Sequence, residues 1–115
     1  MTIKKKINRN ATVKRKIKFS SKDARITQPI GNGFRRFVFT RVVIPPKGMA
    51  VLIMNAGAGR RVVSGGWSQR PIDPKTSEVF STESYPITPS EWRITVWNNT
   101  TDFQAVIPYL IDKRR

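Results

Sequence analysis

Apolar and polar positions alternate with a period of two along much of this chain, and that period predicts strands. The clearest case is EWRITVWN (91–98), where Trp92, Ile94 and Val96 fall on one side and Arg93, Thr95 and Trp97 on the other. FQAVIPYLI (103–111) places Phe103, Ala105, Ile107, Tyr109 and Ile111 on one face. Its Pro108 cannot donate to a ladder, which marks an edge position or a bulge. FRRFVFTRVVI (34–44) is rich in Phe and Val and stops at the turn signature Pro45-Pro46-Lys47-Gly48. MAVLIM (49–54) is continuously apolar, as suits a strand buried on both faces or a sandwich core. RRVVSGGWS (60–68) and EVFSTESY (78–85) complete the set, with the loop QRPIDPKTS between them and Pro86 and Pro89 ending the second. The only helix signal is Thr88-Pro89-Ser90-Glu91, a cap-like pattern good for one turn at most. Short strands with frequent turn signals predict an all-β fold, an antiparallel β-sandwich or jelly-roll-like barrel.

Composition narrows the chemistry. At 115 residues the chain is expected to form one domain, of a size that buries roughly two-thirds of its unfolded surface. It has no Cys and no His, which removes disulfides, thiolate chemistry and the usual zinc clusters; neither metal nor cofactor is expected. The longest apolar run is MAVLIM, far short of the ~20 residues that cross a bilayer, and no apolar stretch follows the basic start MTIKKKINRN. No membrane association is expected.

Charge changes the picture most. The net charge is +15, with 22 Lys and Arg against 7 Asp and Glu. Residues 1–22 hold seven Lys, two Arg and no acid. Lys4, Lys5, Lys6, Arg9, Lys14, Arg15, Lys16, Lys18 and Lys22 therefore form a cationic arm over 1–25, ahead of a milder basic body over 26–115. Sparse apolar surface and self-repulsion predict that this arm is extended and unstructured in isolation. It suits phosphates, through counterion release, or an acidic protein surface, through charge steering. Val13, Ile17 and Phe19 add apolar contacts for a partner.

The stretch NAGAGRRVVSGGWS (55–68) brings a Gly-x-Gly directly after an apolar run. A dinucleotide fingerprint needs strand, G-x-G-x-x-G and then a helix. Here Val62 stands at the third Gly position and Val62-Val63 run straight into Gly65-Gly66. Strand, turn, strand is the reading that fits.

From Gly59 to Ile111 the chain resembles a β-sandwich module of bacterial surface proteins and phage structural proteins. The residues that carry the resemblance are Gly59, Val62-Val63, Gly65-Gly66-Trp67-Ser68, Ser84-Tyr85-Pro86, Trp92 to Asn98, and Ala105-Val106 with Tyr109. The resemblance implies a binding or structural module and no catalysis. That family often carries a cysteine pair, which this sequence lacks.

A catalytic reading lacks a His or Cys base, and Glu78 and Glu83 would point to opposite faces of one strand. The chain is therefore not expected to be an enzyme. Six side chains stand out as surface anchors: Arg35, Arg36, Arg60, Arg61, Arg93 and Trp97. Phe34-Arg35-Arg36-Phe37 interleaves aromatics with Arg as single-strand nucleic-acid platforms do, yet reads first as a strand with two Phe in the core and Arg outside. Trp97 is either an interface anchor beside Arg93 or ordinary core. The leading expectation is a structural protein of a virus particle, a phage capsid decoration or tail component. It would be tied through the arm to acidic subunits, as a homo-oligomer or part of a large assembly, and located in the virion. The alternative is a cytoplasmic nucleic-acid-binding protein that sets the arm and Arg35, Arg36, Arg60 and Arg61 on phosphate. Under the first expectation the body still folds when residues 1–22 are deleted.

Overall fold

A computed structural model describes residues 14–69 and 78–115. Those residues are all-β. The strands are β1 (Lys14–Ser20), β2 (Ile26–Gly31), β3 (Phe34–Val38), β4 (Val42–Ile44), β5 (Met49–Asn55), β6 (Arg60–Gln69), β7 (Val79–Thr88), β8 (Glu91–Asn98) and β9 (Gln104–Arg114). One sheet runs β1-β5-β8-β7; the other runs β2-β3-β9-β4, with β6 also paired to β9. β3 and β4 take successive halves of one side of β9, and β6 takes the other side.

A single apolar cluster draws on both sheets. Phe19, Ala50, Leu52, Met54, Ile94 and Val96 come from the first, and Phe37, Val42, Ile44, Val106 and Leu110 from the second. Each of these side chains larger than Ala50 contributes about 1.5–3 kcal/mol by leaving water. Phe19 stacks on Phe39 with ring centroids 4.9 Å apart, so β1 is held across the core. MAVLIM is buried on both faces: Val51 and Ile53 sit on the side of β5 away from that cluster, yet are 1% and 6% exposed.

Each strand expected from alternation forms, except that FRRFVFTRVVI breaks into β3 and β4, and two more lie where charge and turn residues hid them, β1 and β2. β1 pairs with β5 in parallel, so the sheets are not purely antiparallel. The chain between them is long enough to hold β2, β3 and β4, which a parallel crossover requires. Among the described residues the single helical turn is 3-10, at Ser21–Asp23, where the Ser20 N–H donates to Asp23 Oδ2 at 2.8 Å. Pro89-Ser90 is instead the tight turn between β7 and β8, and Pro86 stays inside β7 beside a register shift.

Pro108 lies in a central strand rather than at an edge. Its carbonyl accepts from the Phe39 N–H at 3.0 Å. In an antiparallel ladder a residue's N and O face the same side, so the missing donor faces the break between β3 and β4. There the register slips by one, from Val38 opposite Tyr109 to Val42 opposite Val106, which is a bulge.

The Gly-rich turn joins strands of different sheets, so β5 and β6 are not a hairpin. Gly57 and Gly59 have φ of 94° and 78°, a left-handed conformation that glycine adopts at little cost. Asn55 Oδ1 accepts the Gly57 N–H at 2.7 Å. β6 begins at Arg60, where a nucleotide fingerprint would need a helix.

Candidate anion-binding end

The start of β3, the start of β6 and the end of β9 converge at one end of the second sheet. Alternation along β9 puts Val106, Leu110 and Asp112 on the inward face, so a carboxylate follows apolar residues into the interior. Asp112 is fully buried. Arg35, opposite it in the ladder, donates Nη2 to Oδ2 at 3.0 Å and Nε to Oδ1 at 3.3 Å. Arg60 donates Nη2 to Oδ1 at 2.8 Å and to the Gly33 carbonyl at 2.8 Å. A lone buried carboxylate would cost several kcal/mol; here two guanidiniums meet it. The Arg35 guanidinium also lies 4.6 Å from the Phe37 ring centroid.

Two guanidiniums on one carboxylate leave an excess positive charge, and the neighbours add to it. Arg61, Lys113, Arg114 and Arg115 line an open recess of about 290 Å³. A second recess of about 270 Å³ is lined by Pro29, Gly31, Gly33, Phe34, Arg35, Arg60 and Arg114. Arg114 is common to both. Lys113 Nζ stands 5.3 Å over the Phe34 ring. The backbone here is stitched to both glycine turns: the Arg114 N–H donates to Gly33 O at 2.9 Å and the Arg115 N–H to Gly59 O at 3.1 Å. Arg60 Nε is buried without a hydrogen-bond partner. Such a group of guanidiniums can hold oxyanions by paired N–H donors.

The six anticipated anchors separate. Arg35 and Arg60 turn inward onto Asp112, with Arg61 exposed beside them. FRRF therefore keeps one Phe in the core, Phe37, and sends one Arg inward, because period two pairs Arg35 with Phe37. Arg36 is exposed on the other face and donates to Gln28 Oε1 at 3.2 Å. Arg93 and Trp97 lie elsewhere, on the outer face of the first sheet. Arg93 pairs with Glu83 at 3.4 Å, and Trp97 Nε1 donates to Thr82 Oγ1 at 3.1 Å. Trp97 is half-buried there, outside the core cluster.

Of the arm, Lys4, Lys5, Lys6 and Arg9 lie outside the described residues. Lys14, Arg15, Lys16 and Lys18 belong to β1 and Lys22 to the 3-10 turn. Lys14, Lys16 and Lys18 pair with Met49, Val51 and Ile53, which puts them on the outer face; Ile17 and Phe19 pair with Leu52 and Met54 and point to the core. Arg15 Nη1 donates to the Val43 carbonyl at 2.9 Å and so links the two sheets. Sequence reasoning missed Asp112, Lys113, Arg114 and Arg115. The signal was present as DKRR at the end of an alternating strand, with the acid at an inward position.

Gly65 packs against Trp92 and Gly66 against Tyr109. A methyl group at Gly65 would overlap the Trp92 ring, and one at Gly66 the Tyr109 ring. The two glycines of GGWS are thus close-packing positions in mid-strand.

Fold and site together define an all-β protein whose two sheets share a core and whose second sheet ends in a cluster of cations. The chain belongs to the YjdH family, whose model matches residues 15–112. No curated protein and no solved structure matches it. The matched stretch opens inside β1 and closes at Asp112, so Lys16 and Lys18 fall within the family unit while Lys4 to Arg9 fall before it.

Proposed function

We propose that this protein is a non-enzymatic structural component of a virus particle, of the capsid-decoration or tail kind, attached to acidic neighbouring subunits through its basic N-terminal region. In this reading the two sheets are the layers of a β-sandwich of jelly-roll type, and the particle holds many copies. The observation that carries it is the build of β1. Ile17 and Phe19 fix the strand to the core while Lys14, Lys16 and Lys18 stand on the opposite face. Cations set at alternate positions are roughly 6.5–7 Å apart along a strand. A rigid row of this kind presents charge to a surface without the ordering cost of a free tail.

The test has to respect β1. Deleting residues 1–22 would remove a strand and Phe19, so the fold is not expected to survive it. Replacing Lys14, Lys16 and Lys18 with Glu leaves the core intact. Purified particles from the source cells should contain the protein in many copies, and the triple variant should be lost from them while melting normally. Particles without the protein, or a triple variant that assembles normally, would sink the reading.

A further inference from the structure

We propose that the Arg114-centred end of the second sheet is a second, separate binding site, one that takes two adjacent phosphates of a single nucleic-acid strand. Three observations converge on it. First, Arg35, Arg60, Arg61, Lys113, Arg114 and Arg115 meet at one end of the sheet, where Asp112 is buried and already engaged by Arg35 and Arg60. The cations nearest the surface, Arg61, Lys113, Arg114 and Arg115, form no ion pair with a described carboxylate. Second, the two recesses of about 270 and 290 Å³ are open and share Arg114. An enclosed pocket would suit a small molecule; two open recesses with a common cation suit a chain of linked anions passing across. Third, Phe34 lines the first recess among the guanidiniums. An aromatic ring beside phosphate-binding cations is the combination that holds a single strand, with a base on the ring and its phosphates on Arg and Lys. An acidic peptide would use the cations and leave the ring idle.

The two roles at this end divide by burial. Asp112 fixes Arg35 and Arg60 as the floor, and Arg60 keeps a buried Nε–H without a partner in the protein. The exposed set beside that floor is free to engage a ligand, because its members carry no part of the core. The residues of this site belong to the second sheet and the lysines of β1 to the first, so its failure and the failure of the virion reading are read by different variants.

The experiment is fluorescence anisotropy of the full chain with a labelled twelve-nucleotide single strand, across a salt series. The comparison is wild type, the triple variant Arg61→Gln, Arg114→Gln, Arg115→Gln, and the β1 control Lys14→Gln, Lys16→Gln, Lys18→Gln. The site variant should bind at least tenfold more weakly at 0.1 M salt. Its slope of log affinity on log salt should also be shallower by about 1.4, since each phosphate contact on a single strand contributes about 0.7. Phe34→Leu should weaken binding several-fold without changing the slope. Competition separates the anion sources: an unlabelled oligonucleotide should displace the probe far better than polyglutamate or pyrophosphate at equal charge. A site variant that binds like wild type, or polyglutamate that competes as well as the oligonucleotide, overturns the proposal. So does pyrophosphate displacing the probe at equal charge. Circular dichroism and a melting curve unchanged in the variant exclude loss of fold.

Discussion

The two ends of the molecule are closed by opposite means. At one end Asn98, 1% exposed, donates Nδ2 to the carbonyls of Ile44, Pro45 and Asp102. Its Oδ1 accepts from the N–H and Oγ1 of Thr100. Gln69 and Gln104, both buried, bond beside it at 2.7 Å. That network is neutral and pairs nearly all of its own polar groups, Gln69 Oε1 being left over. At the other end Asp112 does the corresponding work with charge, drawing in Arg35 and Arg60, and further cations crowd the rim. A neutral cap closes the fold and leaves no net charge for a partner. A cationic one closes the fold and leaves field over, which is the physical basis for placing binding there.

The contrast can be broken first at the neutral end. Asn98→Ala removes the partner of several buried groups at once and should lower stability by about 4 kcal/mol, given roughly 1–3 kcal/mol for each buried group left unpaired. Urea unfolding followed by tryptophan fluorescence would read it. Asp112→Ala should cost about 3 kcal/mol, near the low end of losses for broken buried ion pairs, because Arg35 is 31% exposed and partly rehydrates. The two variants should then part company in phosphate buffer. Added phosphate should restore part of the melting temperature of Asp112→Ala, by binding between the orphaned guanidiniums, and none of that of Asn98→Ala. Equal recovery in both would show that the charged end has no special affinity for anions. Gly65→Ala, between the ends, should cost about 2 kcal/mol by overpacking against Trp92. Smallest of all, Lys14, Lys16 and Lys18 changed together to Gln should move the melting temperature by no more than a degree or two, as these side chains are exposed.

Much of the fold was legible because period two survives wherever one face of a strand is buried. β8 shows this best: Ile94 and Val96 are fully buried, as their spacing requires. β1 was not legible, because its outward positions are Lys14, Lys16 and Lys18 and only Ile17 and Phe19 reveal the inward face. A charge count over 1–22 averages that alternation away. β2 shows no alternation at all, since every residue in it is exposed. At the candidate site the arginines of FRRF and RRVV were visible, but their division into inward and outward members depends on Asp112, 77 positions from Arg35. Ladder register is a tertiary fact, and no local window contains it.

One further consequence follows from the position of β9. It is the common partner of β3, β4 and β6, yet it is made after all of them. During synthesis the hairpins β2–β3 and β7–β8 can close as soon as they emerge. β4 and β6 have no ladder partner until Gln104 to Arg114 leave the ribosome. Assembly of the second sheet is therefore a late event built on long-range pairings, the kind that sets folding in the slow range of milliseconds to seconds. Until β9 arrives β4 and β6 offer unpaired edges, and a net charge of +15 opposes the pairing of such edges between copies of the chain.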